Sequence, residues 1–147
     1  MADWTVQKYF EDVKVDDELD SFSLLLTPQR MIMAAGAVRD FNTIHIIPEA
    51  AKAIGSKDMF MNNGFIMMTF FRLMQEFAGL DGKVVQLGPI RIAANSCAND
   101  TITYGGKVAE VFENEQGACV KLAVYSRNQD GENTCIGEGT IMLPHKA

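Results

Sequence analysis

Histidine is scarce in this chain: two residues in 147, one of them, His145, in the C-terminal tail. His45 is therefore the one imidazole available to a folded interior site, and imidazole is the side-chain group suited to proton transfer near neutral pH. Cysteine is equally sparse. Cys97, Cys119 and Cys135 are odd in number, widely spaced and without a CxxC pair, which excludes a disulfide framework and a tetrahedral zinc site. They read as free, reduced thiols, and no metal centre is expected. A nucleophilic cysteine would need His45 as its base, and Cys119 lies in a strand-like run, Ala118 to Tyr125, that reads as structural. Basic residues are in deficit, 13 Lys+Arg against 19 Asp+Glu, for a net charge of -6. That balance argues against wholesale binding to nucleic acid or to anionic membrane surfaces, and any anionic ligand must find a local group of cations. Long apolar runs are missing too. The stretch Phe65 to Phe71 stops at Arg72, well short of the roughly 20 residues of a membrane span. The segment Met1-Ala2-Asp3-Trp4 has no basic region followed by an apolar one, so a cytoplasmic location is the expectation. Repeats, low-complexity tracts and linker-like clusters are absent, which predicts one continuous domain over 1–147.

What is present is enough apolar side chain to build a core: 48% hydrophobic and 22% charged residues, the composition of a globular domain. Glu18 to Leu26 reads as a strand. Thr27-Pro28 supplies an N-cap and a proline at the first helical position, predicting a helix from Pro28 to Val38. Arg39 to Ile47 is irregular, Pro48 opens a short helix over 49–54, and Gly55 can close it in a left-handed conformation. Phe65 to Ala78 is long enough for a helix and apolar on nearly every face, the pattern of a helix surrounded by protein. Its methionines and phenylalanines read as core filling.

The second half changes period. Val84 to Ala93, Thr101 to Phe112, Ala118 to Arg127 and Asn133 to Leu143 alternate apolar and polar positions, and Asp130-Gly131 reads as a hairpin turn. One strand, then helices, then four antiparallel strands predicts an α+β domain with a hot-dog-like arrangement, a curved antiparallel sheet around the long apolar helix. Open sheet edges make a dimer the expectation.

Two short segments carry candidate chemistry. In Arg39-Asp40-Phe41-Asn42-Thr43-Ile44-His45, on the connection between two helices, Asp40 and His45 can face one point if the chain turns, orienting water and exchanging its proton. The alternative is structural: Asp40 and Asn42 make turns and His45 is a satisfied buried residue. In Asn62-Asn63-Gly64, either asparagine can cap the apolar helix. Its free amides would form a donor site for an oxygen developing negative charge. The alternative is that Gly64 merely starts the helix or relieves crowding.

The run Asp40-Phe41-Asn42-Thr43-Ile44-His45, then a short alanine-rich helix, a glycine and a glycine-started hydrophobic helix, resembles the MaoC-like hot-dog hydratases, the (R)-specific enoyl-CoA hydratases. Their motif is D-x-N-P-[IL]-H-x-D, with H-G opening the central helix. Asp40, Asn42 and His45 match it, while Thr43, Ile47 and Asn63 stand where the motif has proline, aspartate and histidine. A fuller likeness is to the hydratase subunits of bacterial steroid side-chain degradation, through Arg39-Asp40-Phe41, His45, Gly55-Ser56-Lys57-Asp58, Phe60 and Asn62. The similarity runs from about Thr27 to Val111. It implies that Asp40 and His45 are catalytic and activate a water that adds to a trans-2-enoyl-CoA, or leaves a 3-hydroxyacyl-CoA. It also implies that Gly64, with Asn63 and Asn42, holds the substrate oxygen. No cofactor is implied, because CoA arrives with the substrate, whose acyl group is bulky or steroid-like by the same likeness. The partner is a second copy or another hot-dog subunit. Lys57, Arg91 and Lys121 are cations available to the CoA phosphates, with a solvated surface role the alternative for each. Two rival readings stand beside this one. A partner-dependent or non-catalytic subunit of a hetero-oligomer is the first. An acyl-CoA thioesterase is the second, disfavoured because Phe65 to Gln75 has no carboxylate and Glu76 lies about 18 Å along the helix from Gly64.

Overall fold

Thr27 and Pro28 do what local chemistry demands of them: the Thr27 hydroxyl accepts the Arg30 amide, and Pro28 opens helix α1, Pro28–Val38. The structure, a computed structural model, describes residues 6–147, so Met1-Ala2-Asp3-Trp4, the segment read for a signal, lies outside the described residues. Helix α2 spans Pro48–Ala53, with Gly55 just beyond it at φ +90°, a conformation only glycine adopts without cost. The long helix α3 spans Asn63–Ala78.

The strands are β1, Phe22–Leu25; β2, Lys83–Ile92; β3, Thr101–Asn114; β4, Gly117–Arg127; and β5, Asn133–Met142. They form one five-stranded antiparallel sheet in the order β1-β3-β4-β5-β2. Val108, Val120, Leu122 and Ile141 alternate inward along their strands and are buried against the α3 residues Phe70, Leu73 and Met74. The likeness expected from the pattern is therefore correct: the architecture is the hot-dog fold, a sheet wrapped on a long helix.

Three details differ from the sequence reading. β1 is shorter than Glu18 to Leu26, because Glu18 makes only an isolated bridge to Lys107. The β4–β5 connection is a longer loop, in which Asn128 Oδ1 accepts the amides of Asp130 and Glu132 and Gly131 takes φ +82°. α3 is not enclosed on all sides within this chain: Met68 and Phe71 are 45% and 48% exposed. Among the described residues no helix is long and apolar enough to cross a membrane.

Candidate active site

Helix α1 ends in a way that places Asp40. Arg39 adopts a left-handed conformation at φ 56°, ψ 31°, and the Asp40 amide reaches back to the Ala35 carbonyl at 3.0 Å, closing the last turn. The chain then reverses. Asp40 Oδ1 accepts the Asn42 amide at 3.3 Å, and Asn42 Oδ1 accepts that of Ile44 at 3.3 Å, capping a 3-10 turn over Thr43–His45. Five residues after Asp40, this double turn brings His45 alongside it, with Nε2 3.6 Å from Asp40 Oδ2.

His45 is held from its other side. Nδ1 lies 2.8 Å from the Phe60 carbonyl oxygen, and the two rings meet edge-on at 5.1 Å. A carbonyl only accepts, so the contact requires the proton on Nδ1, and in the neutral form of the ring Nε2 is then the lone pair facing Asp40. At 3.6 Å the two groups are beyond direct hydrogen-bond length. Two acceptors facing across that gap suit a molecule with two O–H donors, and water is the smallest. The His45 side chain is 11% exposed and that of Asp40 39%, so the pair sits at the protein surface with the imidazole sheltered and the carboxylate accessible.

Asn62, the buried member of the asparagine pair, caps α3 by accepting the Phe65 amide at 2.7 Å. Asn63 is exposed on the first turn. The amides of Asn63 and Gly64 precede the first intrahelical bond, that of Ile66 to Asn62, and have no partner among the described residues. Gly64 is also required by packing. A Cβ built there would lie 2.9 Å from Val38 Cγ1, at the end of the helix that delivers Asp40. Phe60, which orients His45, is four residues before Gly64. The structure thus brings Asp40 and His45 together and sets the start of α3 against the same corner. Asn42 spends its side-chain oxygen on the turn.

The cations proposed for phosphate are otherwise engaged in part. Lys57 Nζ lies 3.1 Å from Asp100, whose hydrogen bond holds the ammonium pKa above the usual lysine range, and Lys121 pairs with Glu138 at 2.9 Å. Arg91 lines a cavity of about 750 Å³ with Lys107, Tyr125, Ile136 and Glu138. These strand residues alternate with the core-facing ones, so that cavity opens on the sheet face away from α3 and from Asp40 and His45. Among the described residues no group of three metal-ligating side chains occurs, and all three cysteines are buried free thiols.

No family model matches the chain. A curated relative, the 3-oxo-4,17-pregnadiene-20-carboxyl-CoA hydratase beta subunit of Mycobacterium tuberculosis, is 29% identical over 119 residues, 78% of this chain and 85% of the relative. The ChsH1–ChsH2 complex of the same organism contains a chain that superposes with a TM-score of 0.81 at 26% identity, covering 88% of this chain and 98% of that one. A MaoC-like dehydratase from Rhodospirillum rubrum superposes with a TM-score of 0.74 at 18% identity, covering 95% of this chain and 99% of that one. The chain resembles the MaoC-like hydratases and has their fold. Phe60 was noted in the sequence only as a shared residue. Its carbonyl, which no side-chain pattern advertises, is the partner that sequence reasoning missed.

Proposed function

We propose that the chain hydrates a trans-2-enoyl-CoA, or dehydrates the corresponding 3-hydroxyacyl-CoA, with Asp40 and His45 as its catalytic pair. The observation that carries this reading is the placement of His45: Nδ1 lies 2.8 Å from the Phe60 carbonyl oxygen, and Nε2 faces Asp40 Oδ2 at 3.6 Å. Asp40 accepts a hydrogen bond from one O–H of the attacking water, which stays with the oxygen as the product hydroxyl, and Nε2 accepts one from the other. As the oxygen adds to C3 of the enoyl group, the water proton passes to Nε2 and the π electrons shift to the thioester oxygen. That oxygen gains negative charge and is met by the Gly64 and Asn63 amides at the positive end of α3. A proton returned from His45 to C2 completes a syn addition and regenerates the neutral ring. The scheme uses no cofactor beyond the CoA of the substrate. The steroid acyl-CoA hydratase relative supports a bulky acyl group, and the buried unpaired thiols suit a reducing, cytoplasmic setting.

Asp40→Asn and His45→Ala should each lower hydration by about 10² to 10⁴ fold in folded protein, read as loss of the conjugated-thioester absorbance over a panel of enoyl-CoA thioesters from short chain to steroid. Unchanged turnover in either variant refutes the assignment.

A second reading, a subunit that works only with another hot-dog chain, has its own support. The relative is a beta subunit, a matching solved chain belongs to a two-component complex, and Phe41 beside the pair is 65% exposed. Assaying the purified chain alone and after adding a partner separates it from the homodimer. The thioesterase reading has less support, because Glu76 is bound to Arg72 at 2.8 Å.

A further inference from the structure

The segment Gly55-Ser56-Lys57-Asp58 contributes no group to the chemistry above, yet it leads directly to Phe60, whose carbonyl orients His45. Phe60 pairs with Cys97 in an isolated antiparallel bridge, made by the Met61 amide to the Ser96 carbonyl at 2.9 Å and the Ala98 amide to the Met59 carbonyl at 2.8 Å. In that pattern the flanking residues make the bonds and the central residue's own carbonyl points the other way. Phe60 therefore presents its oxygen to His45 only while the 96–98 segment stays in place.

What keeps it in place is Asp100, 5% exposed. Its Oδ2 accepts the Cys97 amide at 2.9 Å, and its own amide donates to the Cys97 carbonyl at 3.1 Å, closing a turn in which Asn99 takes φ 69°. Its Oδ1 accepts Lys57 Nζ at 3.1 Å and Gln129 Nε2 at 3.2 Å. Both sides of the Phe60–Cys97 bridge are thus tied to one buried carboxylate, by Lys57 on one side and the Cys97 turn on the other. Ser56 reinforces the tie, its hydroxyl donating to the Asp58 carbonyl at 2.9 Å and accepting Asn95 Nδ2 at 3.3 Å. A carboxylate this deeply buried is stable only with its donors in place.

We propose that Asp100, clamped by Lys57 and Gln129, is a positioning residue that fixes the Nδ1–H tautomer of His45 through the Cys97 turn and the Phe60 carbonyl. The proposal rests on the hydratase reading for its consequence, though not for its geometry. Without a fixed acceptor at Nδ1 the neutral imidazole samples both tautomers. The Nε2–H form, its ring no longer anchored at Phe60, would turn to close the 3.6 Å gap, donate to Asp40 and leave no lone pair for the water proton.

The test is long-range ¹H–¹⁵N correlation of the imidazole nitrogens at about pH 8.5, where histidine is neutral. His145 is assigned by its loss in His145→Gln. Wild-type His45 should show Nδ1–H as the dominant form. Asp100→Asn should populate Nε2–H and lower kcat for enoyl-CoA hydration by about 10 to 10² fold, with KM changed less than about threefold. Lys57→Met should move both readouts the same way and less, and Lys57→Arg should restore them. Should Asp100→Asn fail to fold, Lys57→Met combined with Gln129→Leu, both at exposed side chains, carries the same measurement. An unchanged His45 tautomer in the folded variants, or Nε2–H dominant in wild type, overturns the proposal. A tautomer that shifts as expected in a protein without hydratase activity upholds the relay and overturns the hydratase reading instead.

Discussion

Tyr104 is an acid buried among aromatics. It is 1% exposed, stacks on Phe22 at 5.2 Å, meets Phe70 edge-on at 5.4 Å and donates its hydroxyl to Met61 Sδ at 3.6 Å. Burial pushes its pKa from 10.0 up to about 12. A phenol raised in the folded state ionises first in the unfolded chain, so its contribution is complete below pH 10 and is lost as pH climbs to about 12. The slope over that window is about 1.4 kcal/mol per pH unit, a loss of roughly 3 kcal/mol. The urea midpoint of wild type should fall relative to that of Tyr104→Phe as pH rises through this range. Parallel curves would show that Tyr104 titrates normally. Cys135 and Cys119, also raised by burial, begin the alkaline decline near 9.0 and keep it in the variant. Gly64 offers a steric test. A methyl group there meets Val38 Cγ1 at 2.9 Å and Val38 Cβ at 3.1 Å. Crowding of this kind costs about 1 to 3 kcal/mol, offset by up to about 1 kcal/mol of helix propensity. Gly64→Ala should therefore lose about 1 kcal/mol, and the Gly64→Ala/Val38→Ala double variant less than the sum of its singles. Strict additivity would remove Val38 as the cause.

Among the elements, those with local causes were legible in advance. Thr27 and Pro28 announce α1 because a cap is made within one turn, and the alternation at Val120, Leu122 and Val124 announces β4 because a sheet face needs period two. Asp40 and His45 were legible as a pair because a turn of a few residues joins them. Asp100 was not, since its donors Lys57 and Gln129 stand 43 and 29 residues away and no spacing encodes them. Asn62 and Asn63 could not be told apart as caps, because the choice depends on which one the core buries. The two ends of the chain meet in another contact of this nonlocal kind. The 3-10 turn Phe10–Asp12 bonds to the C-terminal tail: Glu11 takes His145 Nδ1 at 2.7 Å and the Lys146 amide at 3.1 Å, while Asp12 pairs with the Lys146 ammonium. The hydrogen bond from His145 holds the Glu11 carboxyl below its ordinary value of 4.5. A carboxylate lowered in this way stabilises the fold above that value and stops doing so as pH falls through its folded pKa. Thermal melts of Glu11→Gln should lack the part of the acid-side decline that begins below pH 4.5 in wild type. An identical acid limb in both proteins would mean the clasp adds nothing measurable, as many exposed ion pairs do not.

At the scale of the whole molecule, the distribution of uncovered apolar surface is the telling feature. Single exposed hydrophobic residues are ordinary, but here they gather on the elements that carry the site. Met33 on α1 is 66% exposed, Phe41 after it 65%, Ile54 after α2 64%, and Phe71 on α3 48%. The cavity of about 750 Å³ lies on the opposite face of the sheet. On the proposed reading, a bulky acyl chain at Asp40 and His45 would have neighbouring apolar groups but no opposing wall among the described residues, and a second hot-dog subunit resting on α1 and α3 would supply one. β2, the longer of the two edge strands, also exposes Val85 and Ile92. If a second subunit covers this surface, placing charge on it should separate the two without unfolding them, because neither Met33 nor Phe71 belongs to the core. Met33→Glu combined with Phe71→Glu should convert the sedimenting species to monomer, leave the far-UV circular dichroism unchanged and lower enoyl-CoA hydration by at least tenfold. The loss should be recovered in part at high protein concentration, where association is driven by mass action. A wild-type chain that is monomeric at micromolar concentration and hydrates enoyl-CoA as fast alone as with any partner would show that the exposed helices cover themselves with substrate rather than with protein.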